Sequence, residues 1–157
     1  QGFHGAAGHM GHIECSAAAG IPCACGRSGH LESVASGTSI GRMYDERFGR
    51  VDPSRPSVGR DVNDLCRAGD AKATEVIHDA GFALGASLGS LANILDPEVI
   101  VLSGGVIHQG PDWRSQTWKD SVHADPYRFS GGRCAAYRCR RTPSCLVEVN
   151  ITTKCAF

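Results

Sequence analysis

A single apolar face runs through residues 71–95, where hydrophobic side chains recur every three or four positions. This spacing is typical of one side of an α-helix, and Asp70 stands directly before it as a candidate amino-terminal cap. Asp79 and Asn93 lie within the segment, so the pattern predicts a soluble helix rather than a membrane span. The positions that form the face are Ala73, Val76, Ile77, Ala80, Leu84, Leu88, Leu91 and Leu95.

The chain after this helix has the pattern of a buried strand. The helical spacing breaks at Asp96 and Pro97, the β-branched run at 99–102 follows, and Ser103, Gly104 and Gly105 close it. A helix, a turn, a strand and a glycine turn in this order are typical of a layered α/β sheet. Ligands bind such sheets at the carboxyl ends of strands.

Two further helices are predicted upstream. One covers about residues 31–48, with an interruption by serine and glycine within 35–41, and a shorter one covers 61–69. Proline, glycine and serine dominate residues 49–60 between them, which predicts a loop. Residues 1–126 are therefore predicted to form one α/β unit.

Residues 127–157 differ in composition. From residue 128 onward the chain carries six basic side chains and one acidic one. This shift predicts a separate basic tail, and disorder is favoured because the segment offers little apolar surface for burial. An edge strand within 144–157 and a second metal site are alternatives. The four cysteines of the tail are Cys134, Cys139, Cys145 and Cys155.

Charge and cysteine usage narrow the function classes. Sixteen basic residues balance sixteen acidic ones, so the net charge does not indicate nucleic acid or an anionic membrane as a partner. No apolar run reaches the length of a membrane-spanning helix, and Gln1 opens no signal segment. The uneven spacing of the eight cysteines favours metal binding over a secreted disulfide scaffold. We expect a cytoplasmic protein.

Soft metal ligands are concentrated in residues 8–32. Zinc takes four nitrogen or sulfur ligands in a tetrahedron. Cys23 and Cys25, with His30 returning after two glycines and His12 placed eleven residues ahead, make a Cys2His2 set. His9 and Cys15 are spare candidates. A redox pair and a chance cluster of buried thiols are the alternatives.

Three stretches resemble the ROK family of sugar kinases and sugar-responsive repressors. They are GFHGAAGHMGH at 2–12, CACGRSGHLESVASGTSI at 23–40 and LANILDPEVIVLSGGV at 91–106. The family pattern is G-E-x-G-H, then C-x-C-G-x-x-G-C-x-E, then a strand that ends in glycines. The resemblance covers about residues 1–125. It implies the carboxyl-terminal lobe of an actin-like, ribonuclease-H-like sugar kinase, with a zinc-stapled loop.

The resemblance also implies roles for single residues. It assigns a structural zinc to four ligands, with histidine where the family usually has the last cysteine. These ligands are His12, Cys23, Cys25 and His30. His12 and Glu32 would contact the sugar, and His9, at the position of the family's glutamate, is a further candidate contact. For Glu32 alone, a first-turn carboxylate favoured by the helix dipole is the alternative.

The nucleotide side of the family is only partly represented. Gly104 and Gly105 match the turn that approaches the adenine and ribose of ATP, with Ser103 replacing the first glycine. ATP with magnesium is the cosubstrate implied for the intact enzyme. The family's catalytic aspartate and phosphate loops precede the first motif and have no counterpart in these 157 residues. We therefore expect no catalytic residue in this chain and no sugar phosphorylation by it alone.

Three functions stay open on the sequence. The favoured one is the sugar- and zinc-binding lobe of an ATP-dependent hexose or amino-sugar kinase similar to glucokinase. The second is the sensor lobe of a repressor, with DNA as a partner only if a helix-turn-helix lies upstream. The third is a truncated or frame-altered product without function. The resemblance implies a small-molecule sugar and a homodimer as partners, and no membrane.

Overall fold

In the part of the chain that the structure describes, two short 3-10 turns and four helices come first, and four strands follow. The computed structural model describes residues 3 and 8–95 with their side chains, and the backbone of the strands. The 3-10 turns are Met10–His12 and Ser16–Ala18, and the helices are α1 (Glu32–Ala35), α2 (Gly37–Phe48), α3 (Gly59–Arg67) and α4 (Ala71–Leu95). The strands are β1 (Val99–Ser103), β2 (Tyr127–Ser130), β3 (Ala135–Cys139) and β4 (Leu146–Asn150). The described part of the chain is mostly helical.

Helix α4 confirms the apolar pattern of residues 71–95. The Asp70 carboxylate accepts a hydrogen bond from the Ala73 backbone N–H at 2.7 Å, which is the predicted cap. Leu84 and Leu88 are fully buried, whereas Leu95 is 48% exposed. The prediction that Leu95 shares the buried face is therefore wrong, because the described residues cover this face only over the earlier turns.

The predicted interruption of the helix at residues 31–48 is also confirmed. Ser36 has an extended backbone between α1 and α2, and its hydroxyl accepts a hydrogen bond from the Ser39 N–H at 3.2 Å. Serine is a preferred residue for such an amino-terminal cap. The break separates the short helix that begins with Glu32 from the longer helix that packs in the core.

Helices α2, α3 and α4 pack around one hydrophobic core. Its largest fully buried side chains are Ile40, Val62, Val76, Leu84 and Leu88. Leu31 and Met10 join the same core from the segment before α2, which anchors the cysteine- and histidine-rich loop to the helical layer. None of the described helices is long and apolar enough to cross a bilayer.

Backbone-to-backbone contact holds α2 against the start of α3. A Cβ atom at Gly41 would overlap the backbone carbonyl of Ser57, and one at Gly59 would lie 2.9 Å from the Cα atom of Gly37. The Asp45 carboxylate accepts a hydrogen bond from the Ser57 N–H at 2.9 Å. These glycines let residues 49–58 lie directly on α2. The loop predicted for residues 49–60 therefore ends two residues earlier, because α3 begins at Gly59.

The strands form one sheet in the order β2-β3-β1-β4. Strand β1 pairs antiparallel with β3 and parallel with β4, and it confirms the strand predicted at 99–102. Strand β4 lies at an edge of the sheet and within the segment 144–157, where an edge strand was one alternative. The domain boundary near residue 126 and the disorder of the tail stay predictions.

Asp61 fixes the amino-terminal end of α3. Its carboxylate accepts hydrogen bonds from two Arg55 nitrogens at 2.7 and 2.9 Å and from the Val58 N–H at 2.9 Å. The Arg55 hydrogen bond, followed by the Val58 N–H, lowers the pKa of Asp61 from 3.8 to about 2. Because the folded-state pKa is the lower one, this interaction stabilises the fold above about pH 4 and is lost as the pH falls towards 2.

We expect Asp61→Asn to lower the free energy of unfolding by about 1 kcal/mol at pH 7, because the Arg55 side chain of the pair is half exposed. The difference between the two proteins should shrink between pH 4 and pH 2. Urea denaturation at pH 7, 4, 3 and 2 measures it. Acid release of a metal would affect both proteins alike, so only their difference is compared. A difference independent of pH would contradict the assignment.

Candidate metal and sugar site

The loop that carries the predicted ligands is closed by two antiparallel β-bridges. One bridge pairs Glu14 with His30 and the other pairs Pro22 with Ser28. The Leu31 N–H also donates a hydrogen bond to the Ile13 carbonyl at 3.0 Å. The chain therefore returns beside the first 3-10 turn, so His30 comes close to the turn that ends in His12.

A tight turn forms the tip between the two cysteines. The Cys23 N–H donates to the Arg27 carbonyl at 2.7 Å, and the Gly26 N–H donates to the Cys23 carbonyl at 3.0 Å. Gly26 has a φ of +87°, which glycine adopts without the steric cost that other residues incur. This turn folds Cys23 and Cys25 towards the same point as the two histidines.

The structure brings the four predicted zinc ligands into one cluster. Their ligand atoms all lie within 4.8 Å of one another: His12, Cys23, Cys25 and His30. Cys25 Sγ is 3.2 Å from His30 Nδ1, and Cys23 Sγ is 3.8 Å from His12 Nδ1. A tetrahedron with zinc bonds of about 2.0–2.3 Å has edges of about 3.3–3.8 Å. The two Sγ–Nδ1 contacts are close to that range, all four ligand atoms lie within 4.8 Å of one another, and the donor atoms are those that zinc prefers, so the residues fit the ion.

Burial supports a structural rather than an open metal centre. Cys23 and His30 are each only 8% exposed, while His12 and Cys25 are half-buried. Four protein ligands fill a tetrahedral coordination sphere, which is typical of a structural zinc. The chemistry of such a centre is to fix the loop and to set the tautomer of its histidines.

The two spare ligand candidates lie outside this cluster in the described part of the chain. Cys15 is a free thiol that packs half-buried against the hydrophobic core. His9 is exposed, and its ring centroid is 6.3 Å from that of His12, with the two planes at 65°. His9 is therefore a neighbour of the cluster rather than a member.

The predicted sugar contacts surround the turn that carries His12. Glu32 begins α1 two residues after His30, and its Oε2 atom lies beside Gly11. A Cβ atom at Gly11 would lie 2.5 Å from that oxygen. The structure thus places the Glu32 carboxylate beside the residue directly before His12. An imidazole can donate to one sugar hydroxyl, and a carboxylate can accept from others. Glu32 also occupies the first turn of a helix, so the alternative role stays open.

One predicted site falls on residues that the structure does not describe, and the sequence did not single out one residue of the loop. Gly104 and Gly105 lie outside the described residues. Gly11 was not singled out from the sequence, although it stands directly before His12 in the first motif. Its importance depends on Glu32, which is 21 positions away, and no local pattern reveals that contact.

Comparison with known sequences identifies related proteins. The profile of the ROK family matches residues 1–119. Over 119 residues the chain is 37% identical to the glucokinase of Halalkalibacterium halodurans, covering 70% of this chain and 36% of that protein. Over 105 residues it is 41% identical to the N-acetylmannosamine kinase of Yersinia pestis, covering 67% of this chain and 34% of that protein.

The same fold recurs in solved structures of a sugar kinase and a regulator. The ROK hexokinase from Thermus thermophilus matches with a TM-score of 0.61 and 31% identity, over 73% of this chain and 37% of that one. A ROK family transcriptional regulator, a homologue of the E. coli MLC protein, matches with a TM-score of 0.55 and 27% identity, over 73% and 31%. The chain belongs to the ROK family. It spans about a third of the length of these relatives.

Proposed function

We propose that the chain is the sugar- and zinc-binding lobe of an ATP-dependent hexose or amino-sugar kinase. The observation that carries the proposal is that the Glu32 carboxylate lies beside the turn of His12, at the edge of a Cys2His2 cluster. The glucokinase and the N-acetylmannosamine kinase among the relatives support a hexose or an N-acetylated amino sugar as the ligand.

Zinc held by the four clustered residues supplies a fixed centre that anchors the loop and sets the protonation of its histidines. The Nδ1 atom of His12 faces Cys23 and is the nitrogen assigned to the metal. The Nε2 atom of His12 then carries the proton, and this N–H donates a hydrogen bond to a sugar hydroxyl oxygen. The imidazole cannot rotate while it is held in this way, so the direction of this hydrogen bond is constant.

Glu32 supplies the acceptor half of the site. An ionised carboxylate accepts hydrogen bonds from two neighbouring hydroxyls, and such charge-assisted bonds are stronger than neutral ones. His9, exposed beside His12, is proposed as a further sugar contact. An imidazole has one acceptor nitrogen where a carboxylate has two oxygens, so His9 would change which sugar is preferred rather than duplicate Glu32.

The nucleotide side of the proposal rests on the family resemblance. Gly104 and Gly105 are assigned to ATP, with magnesium, in an intact kinase. None of these 157 residues matches the family's catalytic aspartate, so binding and not phosphoryl transfer is assigned to this chain. Among the residues described with side chains, the four cysteines Cys15, Cys23, Cys25 and Cys66 form no disulfide, which fits the proposed reducing cytoplasm. We also assign a homodimer as the assembly.

The second candidate is the sugar-sensing lobe of a transcriptional repressor. The regulator among the solved relatives favours it, and so does His9 at the position of the family's glutamate, because a sensor does not need the geometry of a kinase. DNA would be a partner only through a helix-turn-helix outside these residues. The third candidate, a product without function, predicts that no sugar binds.

Calorimetric titration of the zinc-loaded chain with glucose and with N-acetylmannosamine tests the proposal. We expect one of the two sugars to bind with a 1:1 ratio and a dissociation constant of about 1 mM or lower, which corresponds to about 4 kcal/mol. Mannitol, an open-chain polyol, is the matched control and should not bind. In a coupled assay with ATP and magnesium we expect no turnover. Failure of both sugars to bind would contradict the proposal.

A further inference from the structure

The residue directly before His12 is a glycine that faces Glu32. A Cβ atom at Gly11 would lie 2.5 Å from Glu32 Oε2, and 3.6 and 3.7 Å from the Cβ and Cδ atoms of the same side chain. Outside its chain neighbours, these are the three nearest heavy atoms. Only the first distance is too short, by about 1 Å, for a carbon–oxygen contact. The carboxylate therefore occupies the space that a side chain at position 11 would take.

The backbone conformation gives no other reason for glycine at this position. Gly11 is not among the described glycines with a positive φ, which are Gly8, Gly20, Gly26, Gly29, Gly49 and Gly69. It lies within the 3-10 turn Met10–His12, whose backbone alanine adopts without strain. The requirement is thus for space and not for conformational freedom.

We propose that Gly11 is a positioning residue for Glu32: the missing side chain lets the Glu32 carboxylate lie against the turn that carries His12. The inference rests on the proposed function, in which His12 and Glu32 bind one sugar. A carboxylate held against the turn of His12 keeps a fixed separation from the imidazole, which matches one pair of hydroxyls. A side chain at position 11 would push the carboxylate away by about 1 Å, and the loss of one charge-assisted hydrogen bond would raise the dissociation constant of the sugar about tenfold or more.

Crystal structures of the zinc-loaded full chain and its Gly11→Ala variant test the contact directly. We expect the backbone of residues 10–12 and the four clustered ligands to superpose. The Glu32 carboxylate should move by about 1 Å or change rotamer, because the far end of a flexible side chain yields more easily than the turn. A Glu32 carboxylate in the same place in both structures would overturn the inference.

Sugar affinity tests the consequence. In Gly11→Ala we expect the dissociation constant, for whichever of glucose and N-acetylmannosamine binds, to rise at least tenfold. Zinc content should stay the same, and the melting temperature should not fall, because alanine at a compatible position restricts the unfolded chain. Ala17→Ser is the matched control, since it also adds one heavy atom, at an exposed position of the same loop, and should change neither quantity.

The Glu32→Ala background separates positioning from a general loss of structure. Without the carboxylate, the nearest remaining atom to a Cβ at position 11 is the Cβ of residue 32 at 3.6 Å, which is an ordinary contact. Adding Gly11→Ala there should change the affinity, measured by ligand-observed NMR at high sugar concentration, less than twofold. An equal loss in both backgrounds would overturn the inference. If the parent chain binds neither sugar, the proposed function fails, and the two crystal structures still decide the role of Gly11.

Discussion

Replacing Cys25 by serine is expected to remove the bound zinc and to lower the melting temperature by about 10 °C or more. The cluster joins Cys25 to His30 across a 3.2 Å contact and links the loop tip to the first 3-10 turn. A ligand present at about 1,000 times its dissociation constant stabilises a fold by about 4 kcal/mol. For a chain of this size, each kcal/mol corresponds to about 2–4 °C. Thermal denaturation followed by circular dichroism measures the shift.

Cys66→Ser is the matched control for Cys25→Ser. Cys66 is also a free, half-buried thiol, but it lies on α3 with its Sγ 3.5 Å from Thr74 Oγ1, away from the cluster. This variant should keep its zinc and melt within about 2 °C of the parent. A chelator should lower the melting temperature of the parent and of Cys66→Ser but not that of Cys25→Ser. Equal responses of all three proteins would refute the zinc assignment.

Glu32→Ala is expected to weaken sugar binding by about 100-fold or more without loss of zinc. Each hydrogen bond to a charged group contributes about 1.5–3 kcal/mol, and the carboxylate is assigned two of them. Since about 1.4 kcal/mol corresponds to a tenfold change, the pair accounts for a loss of this size. Titration with the sugar that binds the parent protein, together with metal analysis of both proteins, measures the two effects separately.

Glu14→Ala is the matched control for Glu32→Ala. Glu14 is an exposed carboxylate on the same loop, and it bridges to His30 only through the backbone. Its removal changes the net charge by the same amount but should leave the affinity within about twofold, because exposed substitutions have small effects. A similar loss in both variants would assign the effect to overall charge and not to a contact of Glu32 with the sugar.

The helices were predictable because their signals are local. The apolar side chains of residues 71–95 recur every three or four positions, and together with the cap at Asp70 they predict α4. The serine at position 36 marks the break between α1 and α2. Leu95 shows the limit of this reasoning. It continues the apolar pattern, yet it is 48% exposed, since periodicity shows which side of a helix is apolar and not how far its cover extends.

The sheet could not be derived from the sequence in the same way. Strand β1 contains a clear β-branched run, which predicts the strand itself. Its antiparallel partner begins far away at Ala135 and its parallel partner at Leu146. Those pairings join segments more than 30 positions apart, for which no local pattern gives the partner or the register.

The four clustered ligands were chosen from residue type and family resemblance, and the folded loop brings them together. The contact of Gly11 with Glu32 needed the fold itself.

We expect one zinc ion to hold the loop on which His12 and Glu32 bind a sugar. Elemental analysis of the purified chain by inductively coupled plasma mass spectrometry measures the ion itself. We expect one zinc per chain after extensive dialysis, only a trace in a His12→Ala, Cys25→Ser double variant, and one zinc per chain in Cys66→Ser. A purified, folded chain without stoichiometric zinc, even after refolding with zinc present, would contradict it.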